Sequence, residues 1–441
     1  MNPQQTPRLA LFPRASSINA AGHLVIGGCD TCDLASEFGT PLYVFDEATI
    51  RHQCREFSER FKGRYPDAKV SYAAKAFLNR AMARLVMEEG LGLDVVSSGE
   101  FAIARSVGFP SEEVYFHGNN KTPLELTQAL DWGVGRIVVD SVYELRLLDQ
   151  ICAERRCMQD ILLRLNPNVD PHTHEHTTTG VLDSKFGIPI STGQAEEAVK
   201  AALSMRSVNL LGLHFHLGSP IFEVAPYETA IGVVLDFAKE MKTKYDFDMV
   251  EMSVGGGFAV AYTVEDHPPM PAVYADAIVG KMSDLLLKKS LLPPRLTVEP
   301  GRSIIGRAGV ALYTVGAIKD IPGVRKYVCI DGGMSDNIRP PMYGAKYEAM
   351  VANKAAEPNA QTVTLAGKLC ESGDILVKDI QLARMAPGDI VAVPTCGAYC
   401  VPMASNYNAI PRPAVVFVKN GEPRLVRRRE TFEDLYSLDA L

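Results

Sequence analysis

Residues 71–76 read Ser71-Tyr72-Ala73-Ala74-Lys75-Ala76 and place one lysine at the end of an apolar, strand-like run. Surface lysines usually stand among polar neighbours, whereas Lys75 stands among small residues that leave space around its amine. A desolvated lysine has a lowered pKa and forms Schiff bases readily. Taken alone, the segment is compatible with a desolvated, reactive lysine and with an ordinary strand-end lysine.

Apolar, β-branched runs alternate with segments of helical periodicity from about residue 69 to residue 302. Eight such runs are present, at residues 70–74, 92–96, 114–116, 136–139, 161–165, 210–215, 249–254 and 295–298. This alternation predicts parallel strands joined by crossover helices. Eight such units close into a (β/α)8 TIM-like barrel.

Polar residues gather at or just after the C-terminal ends of these runs. They are Lys75, Asp94, His117, Asp140, Asn166, His216, the triplet Gly255-Gly256-Gly257 and the segment Glu299-Pro300-Gly301-Arg302. Barrel enzymes build their active sites on that face. The pattern therefore favours a functional site over scattered surface polarity.

Short alternating runs separated by Gly, Pro and Asp dominate after about residue 310. They predict a second, mostly antiparallel β domain. The early runs at 24–26 and 42–45 add strands to it, so the domain is discontinuous. We expect the barrel at residues 47–308 and the β domain at residues 1–46 and 309–441.

Composition limits the possible functions. The chain of 441 residues has a net charge of −7, which argues against nucleic-acid binding, and no apolar stretch of membrane-spanning length. We read no export signal, and nine scattered cysteines suit reduced thiols in the cytoplasm. Cys29 and Cys32 form a C-x-x-C pair, but no second pair supports a zinc site, so incidental thiols are favoured.

Five segments, taken in order, resemble the fold-type III pyridoxal-phosphate decarboxylases. They are Tyr72-Ala73-Ala74-Lys75-Ala76, His216-Leu217-Gly218-Ser219, Gly255-Gly256-Gly257-Phe258, Glu299-Pro300-Gly301-Arg302 and Cys370-Glu371-Ser372-Gly373-Asp374. The resemblance covers nearly the whole chain. It implies an alanine racemase-like arrangement of barrel and β domain, pyridoxal 5'-phosphate as cofactor, and carbon–carbon lyase activity on an amino acid.

The resemblance also implies roles in cofactor binding. Lys75 would hold the cofactor covalently, His216 would stack on its ring, and Glu299 would keep the ring nitrogen protonated. The further cofactor-binding residues would be Asp94, Ser219, Gly255, Gly256, Gly257, Gly301, Arg302 and Tyr399. Purely structural roles stay open as alternatives. Glu299 could form an ion pair with Arg302 or Arg164, and His214 is better interpreted as a buried, hydrogen-bonded histidine.

In the resembling family, Cys370 acts as proton donor in the site of a neighbouring subunit, which implies a homodimer with shared active sites. On its own, Cys370 would more often be a core residue. The substrate would contact Arg302, Arg339, Tyr343, Glu371 and Tyr399. Pro220 stands where the family has glutamine, which leaves the detail of that loop open.

The resemblance is closest to the members that convert meso-2,6-diaminopimelate to L-lysine and CO2. Arg339 would bind the distal carboxylate, which ornithine, lysine and arginine lack; the alternative is a solvated turn residue. Decarboxylases of those amino acids and a non-catalytic pyridoxal-phosphate-binding homologue stay as rivals. A metal at His172, His174 and His176 is disfavoured, because the surrounding residues read as a loop.

Overall fold

The computed structural model describes residues 6–170 and 179–440, so His172, His174 and His176 lie outside the described residues. The chain divides into two compact units. The barrel unit comprises Cys54–Ala259 and Pro268–Gly301, and the remaining residues form the sheet unit. This division differs from the predicted boundaries in three places. It assigns Val260–His267 and residues 302–308 to the sheet unit, and the first boundary falls inside the helix Glu47–Lys62, after Gln53.

The barrel unit contains the eight parallel strands expected from the sequence. They are Ala68–Ala73, Gly92–Val95, Val114–Phe116, Arg136–Val139, Gln159–Asn166, Val208–Phe215, Glu251–Ser253 and Arg295–Val298. Each pairs with its neighbours, and the last strand pairs with the first through Leu296↔Ala68 and Val298↔Val70. The sheet is therefore closed, and the predicted barrel is confirmed.

Helices of the barrel unit follow the strands closely. They are Arg80–Glu88, Ser98–Arg105, Pro123–Trp132, Val142–Arg155, Gln194–Ser204, Ala225–Tyr245 and Pro271–Lys289. The first four begin at side-chain caps, because Asn79, Ser97, Thr122 and Ser141 each accept a hydrogen bond from a backbone N–H in the first turn. These caps fix the short loops that carry polar residues at the C-terminal ends of the strands.

The N-terminal end of the barrel is closed by a buried polar network. Glu251 begins the seventh strand and accepts hydrogen bonds from Tyr115 Oη (2.5 Å) and Thr297 Oγ1 (3.0 Å). Arg136 lies 3.3 Å from the same carboxylate. This network belongs to the face opposite the predicted site, where polar residues stabilise barrels rather than catalyse.

The sheet unit contains the strands Leu42–Asp46, Gly309–Ile321, Arg325–Ile330, Met350–Val351, Gln361–Ala366, Ile375–Leu382, Ile390–Val393, Ala414–Lys419 and Glu422–Arg427. Most pairings are antiparallel, as predicted. The exceptions are Arg325–Ile330 with Gln361–Ala366 and Ala414–Lys419 with Leu42–Asp46, which are parallel. A small sheet of Ser17–Ile18, Leu24–Ile26 and Cys29–Asp30 precedes the helix Thr31–Phe38.

Four short α-helices complete the described part of the sheet unit: Thr6–Leu9, Arg302–Ile305, Arg339–Tyr343 and Phe432–Tyr436. Its core is formed by the inner faces of these strands, including Leu42, Val310, Leu312 and Val416. Within the described part of the chain, no helix has the length and apolar character needed to span a membrane. All nine cysteines are free thiols.

Candidate active site

Lys75 stands in a 3-10 turn, Ala74–Ala76, directly after the first barrel strand. The side chain of Lys75 is exposed, whereas Ala74 and Ala76 are buried. The turn therefore directs the amine of Lys75 away from the apolar interior of the strand and leaves it accessible in the described chain. The turn itself is held in place, since Ala73 N–H donates to Pro300 O (3.2 Å) beside the eighth strand.

Glu299 lies buried at the end of the eighth strand and is held by neighbours from two other strands. Ser253 Oγ donates to its Oε1 (2.6 Å), and His214 Nε2 lies 3.2 Å from its Oε2. The expectation that His214 is a buried, hydrogen-bonded histidine is confirmed. Its hydrogen-bond partner is the glutamate predicted to contact the cofactor.

Asp94 and His117 extend this cluster from the second and third strands. His117 Nε2 lies 3.3 Å from Asp94 Oδ1 and 3.7 Å from Glu299 Oε1. The rings of His117 and His214 meet edge to face, with centroids 5.0 Å apart. Two carboxyl groups and two imidazoles thus come together from four different strands.

The electrostatics of the cluster place its negative charge on Glu299. Burial alone would raise the pKa of Glu299, but interactions with His214, His117 and Ser253 hold that pKa well below its usual range. Burial and the charge of Glu299 raise the pKa of Asp94, with Lys75 opposing them. Burial also lowers the pKa of His117. The pKa directions therefore favour placing the negative charge of the cluster on Glu299 rather than on Asp94, with His117 uncharged.

His216 is fixed in one orientation by the glycine triplet. Gly256 N–H donates to His216 Nδ1 (3.1 Å). Desolvation and the positive charges of Lys75 and Arg164 lower the pKa of His216 well below its usual range. A neutral His216 that accepts at Nδ1 carries its proton on Nε2. The ring is therefore uncharged and held by the backbone.

The glycine triplet is required by the close packing of the protein itself. A Cβ at Gly256 would lie 2.2 Å from Glu299 O, and one at Gly257 would lie 2.4 Å from Gly218 O. The N–H groups of Gly255 and Gly256 already donate to Ser253 Oγ and His216 Nδ1. Among the three glycines, which were predicted to bind the cofactor, the N–H groups of Gly255 and Gly256 are therefore engaged within the protein.

Ser219, predicted to contact the phosphate, is half-buried in the loop after the sixth strand. Gly301 packs against the turn that carries Lys75, because a Cβ there would lie 3.0 Å from Ala73 Cβ. Arg164 is buried over the ring of Phe186 (4.5 Å) and lies 3.4 Å from Asp140 Oδ2. Arg164 is therefore a buried cation at the end of the fifth strand.

Arg302 begins the first short helix of the sheet unit. Its Nη1 donates to Tyr262 Oη (2.6 Å), and its guanidinium lies 4.7 Å from the centre of the Tyr399 ring. Tyr399 has a φ of 63°, an uncommon conformation for a bulky residue. Two of the predicted substrate-contacting residues, Arg302 and Tyr399, are thus in direct contact.

Arg339 is buried in the same unit, so its reading as a solvated turn residue is excluded. Its Nη1 donates to Tyr347 Oη, and its guanidinium lies 4.5 Å from the Tyr262 ring centre. Tyr347 Oη also lies 3.6 Å from Cys400 Sγ. Desolvation opposes the charge of Arg339, yet the surrounding phenols and thiol raise its pKa. Tyr262 contacts both arginines and links them. The helix Arg339–Tyr343 also carries Tyr343, which is half-buried.

Cys370 and Glu371 are exposed in a turn of the sheet unit. The buried end of the same motif, Asp374, accepts hydrogen bonds from Met334 N–H (2.7 Å) and Leu369 N–H (3.0 Å). Cys370 N–H donates to Asn408 Oδ1 (3.0 Å). The core reading of Cys370 is wrong, and Asp374 is the structural member of the motif.

Sequence reasoning missed the contacts that surround two predicted residues, Glu299 and Arg339. Ser253 was not predicted, and His117 was predicted only as a polar residue at a strand end. Neither lies in a motif, yet both lie beside Glu299. Tyr262 flanks Arg339 from a distant part of the chain, and Tyr347 flanks it from the loop after its own helix. No local signal marks these tyrosines, because their contacts arise only from the fold of the sheet unit.

The barrel residues fit pyridoxal phosphate, which combines an aldehyde, an anionic phosphate and a ring nitrogen. Lys75 offers an accessible amine, and Glu299 offers a buried, ionised carboxylate. Several of the buried polar atoms that lack a hydrogen-bond partner in the described protein lie at these strand ends, among them Asp94 Oδ1, His117 Nε2, Asp140 Oδ2, Arg164 Nε and His214 Nδ1. Buried polar atoms are normally satisfied, so such a cluster indicates a polar ligand. Together with the barrel, these residues define a fold-type III pyridoxal-phosphate enzyme.

Comparison with known proteins agrees. The pyridoxal-binding domain of the pyridoxal-dependent decarboxylases matches residues 47–306. The chain is 48% identical to the diaminopimelate decarboxylase of Bacillus subtilis, with 96% of each chain covered. It is 43% identical to that of Mycobacterium tuberculosis, with 97% of each covered. The crystal structure of the M. jannaschii enzyme with L-lysine matches at a TM-score of 0.91 and 36% identity, covering 97% of this chain and 98% of that one. The chain belongs to the diaminopimelate decarboxylase family.

Proposed function

We propose that this protein decarboxylates meso-2,6-diaminopimelate to L-lysine and CO2, with pyridoxal phosphate as cofactor. Family membership supports the reaction class. The L-lysine bound by the M. jannaschii relative supports L-lysine as the product. The observation that carries the choice of substrate is the environment of Arg339.

Arg339 is a buried cation without an acidic partner. Tyr262, Tyr347 and Cys400 surround it, and within the described residues it forms no ion pair with a carboxylate. Burying an unpaired charge is unfavourable. A substrate whose far end carries a carboxylate supplies the missing negative charge, and a guanidinium can bind it with two hydrogen bonds. Diaminopimelate has this group, and ornithine, lysine and arginine do not.

Bound pyridoxal phosphate supplies an electron sink for the electrons that remain when CO2 leaves. Lys75 holds the cofactor through its amine. Ser253 and His214 hold Glu299, whose negative charge would favour a proton at the ring nitrogen of the bound cofactor. Gly256 N–H fixes the orientation of the neutral His216, which would pack against the cofactor ring. The barrel residues thus bind, orient and set the charge of the cofactor.

We assign Cys370 the return of a proton to the substrate carbon, in the site of a partner subunit of a homodimer. A thiol is a competent general acid. Its exposure on an anchored turn supports a role outside its own fold, and the exposed Glu371 suits a distal ammonium group. We assign cofactor binding to residues 47–308, and the dimer contacts and substrate selection to residues 1–46 and 309–441. The nine free thiols support a cytoplasmic location.

The test is a substrate panel. Purified protein loaded with pyridoxal phosphate is assayed for CO2 release from diaminopimelate, ornithine, lysine and arginine. We expect kcat/KM for diaminopimelate to exceed the others at least about thirtyfold, the value of one desolvated charge pair. Comparable turnover of ornithine or arginine would favour the rival decarboxylases. Cofactor uptake without turnover of any substrate would favour a non-catalytic homologue.

A further inference from the structure

His117 has no role in the function proposed above, yet it is fixed at the centre of the barrel cluster. It follows the third strand, Val114–Phe116, and its backbone N–H donates to Val95 O (2.8 Å) on the second strand. This bond sets His117 beside Asp94. The His117 side chain is 7% exposed, so its position is determined by packing and not by solvent.

The Nε2 atom of His117 faces two carboxyl groups at once. It lies 3.3 Å from Asp94 Oδ1 and 3.7 Å from Glu299 Oε1, and it makes no proper hydrogen bond to either in the described chain. One N–H can serve only one acceptor well at a time. His214, at 5.0 Å between ring centroids, and the charges of Arg164 and Lys75 are the other titratable or charged groups that act on it.

We propose that His117 is a positioning residue that links Asp94 to Glu299 through its Nε2–H. The proposal rests on the assignment of Glu299 to the cofactor ring nitrogen. When the N–H points to Glu299, it orients that carboxylate and supports its negative charge. When it points to Asp94, Glu299 loses that support. The protonation of the ring nitrogen then depends on a residue that need not touch the cofactor.

Two substitutions at position 117 separate this role from simple packing. In His117→Gln the side-chain amide N–H takes roughly the place of Nε2–H, whereas in His117→Asn the shorter amide takes the place of Nδ1. Each variant is loaded with pyridoxal phosphate. The visible spectrum of the bound cofactor is then recorded against pH, and its dissociation constant is measured.

The cofactor spectrum changes with pH as the ring nitrogen loses its proton, and the midpoint is the pH at which half of this change has occurred. We expect His117→Asn to lower this midpoint by about one pH unit, because Glu299 then supports the ring proton less well. Cofactor affinity should fall about tenfold, as for loss of a hydrogen bond to a charged group. His117→Gln should stay within about threefold of wild type. The proposal would be overturned if both variants had the same midpoint and cofactor affinity as the wild type. It would also be overturned if His117→Gln and His117→Asn lost equal amounts of cofactor affinity.

A further variant leaves His117 unchanged, so its result does not depend on whether substitutions at position 117 disturb folding. Asp94→Leu removes the competing acceptor, so the histidine N–H is directed to Glu299 and the midpoint of the spectral change should move to higher pH. A shift in the same direction as that of His117→Asn would refute the link. Failure of the wild-type protein to take up cofactor, or to act on diaminopimelate, would refute the proposed function instead.

Discussion

Replacing Arg339 with leucine tests the physical basis of substrate selection. The variant removes a guanidinium that is buried against Tyr262 and Tyr347 and that lacks an acidic partner in the described chain. Truncating one member of a desolvated charge pair costs about 2–5 kcal/mol. We therefore expect kcat/KM for diaminopimelate to fall at least about thirtyfold, at about 1.4 kcal/mol per decade.

Residual activity on lysine should fall far less, because lysine has no distal carboxylate to lose a partner. The quantity to measure is the ratio of the two kcat/KM values. Folding stability should change by no more than about 2 kcal/mol, since loss of the Tyr347 hydrogen bond is offset by relief of an unpaired buried charge.

Arg307→Leu is the matched control for the loss of an arginine in the same unit. Arg307 Nε donates to Phe12 O (2.7 Å), and Arg307 is not one of the proposed substrate-binding residues. The ratio of kcat/KM for diaminopimelate to kcat/KM for lysine should therefore stay unchanged. If Arg339→Leu lowers both activities together and leaves the ratio unchanged, Arg339 is structural and the argument for the substrate fails.

Two further predictions concern the cofactor site. Lys75→Ala should abolish turnover and the borohydride-reducible lysine label. When it is mixed with Cys370→Ala under proven subunit exchange, about a quarter of wild-type activity should return, the statistical yield of intact shared sites; no recovery would place Cys370 in its own chain's site. Gly256→Ala should lower thermal stability sharply and weaken cofactor binding, because its Cβ would meet Glu299 O at 2.2 Å. The matched Gly280→Ala, on an open helix face, should raise unfolding free energy by about 1 kcal/mol, and equal effects of the two changes would contradict the close-packing argument.

The barrel was predictable because buried parallel strands leave continuous apolar runs, and capping residues mark the helices between them. Thr122, Pro123 and Glu125, for example, form a complete start signal for the helix Pro123–Trp132. The strand Ile375–Leu382 was not predicted. Asp379 has a φ of 51° there, and the register with Gln361–Ala366 shifts, so the alternation expected of a strand is broken by an irregularity that only the pairing explains.

The candidate site was predictable where chemistry and sequence motif coincide, as at Lys75 and Glu299. It was not predictable where contacts join distant segments. The sequence around His117 does not predict its proximity to Glu299, because the two residues come together only when the barrel closes. The exposure of the Lys75 side chain could not be predicted from the sequence either, because a single 3-10 turn determines the direction of this side chain.

The anchoring of the Cys370 turn has a consequence for the kinetics of assembly. The Asp374 carboxylate accepts hydrogen bonds from Met334 N–H and Leu369 N–H and so holds the turn in place. Gly333 and Gly367 have no room for a side chain, because their Cβ atoms would lie 2.5 Å and 2.0 Å from the Asp374 carboxylate. The conformational entropy of the turn is therefore lost when the monomer folds, before any partner is met. In the proposed homodimer, a preorganised turn would dock without a separate ordering step, so the proposed shared site is expected to form as fast as the subunits associate.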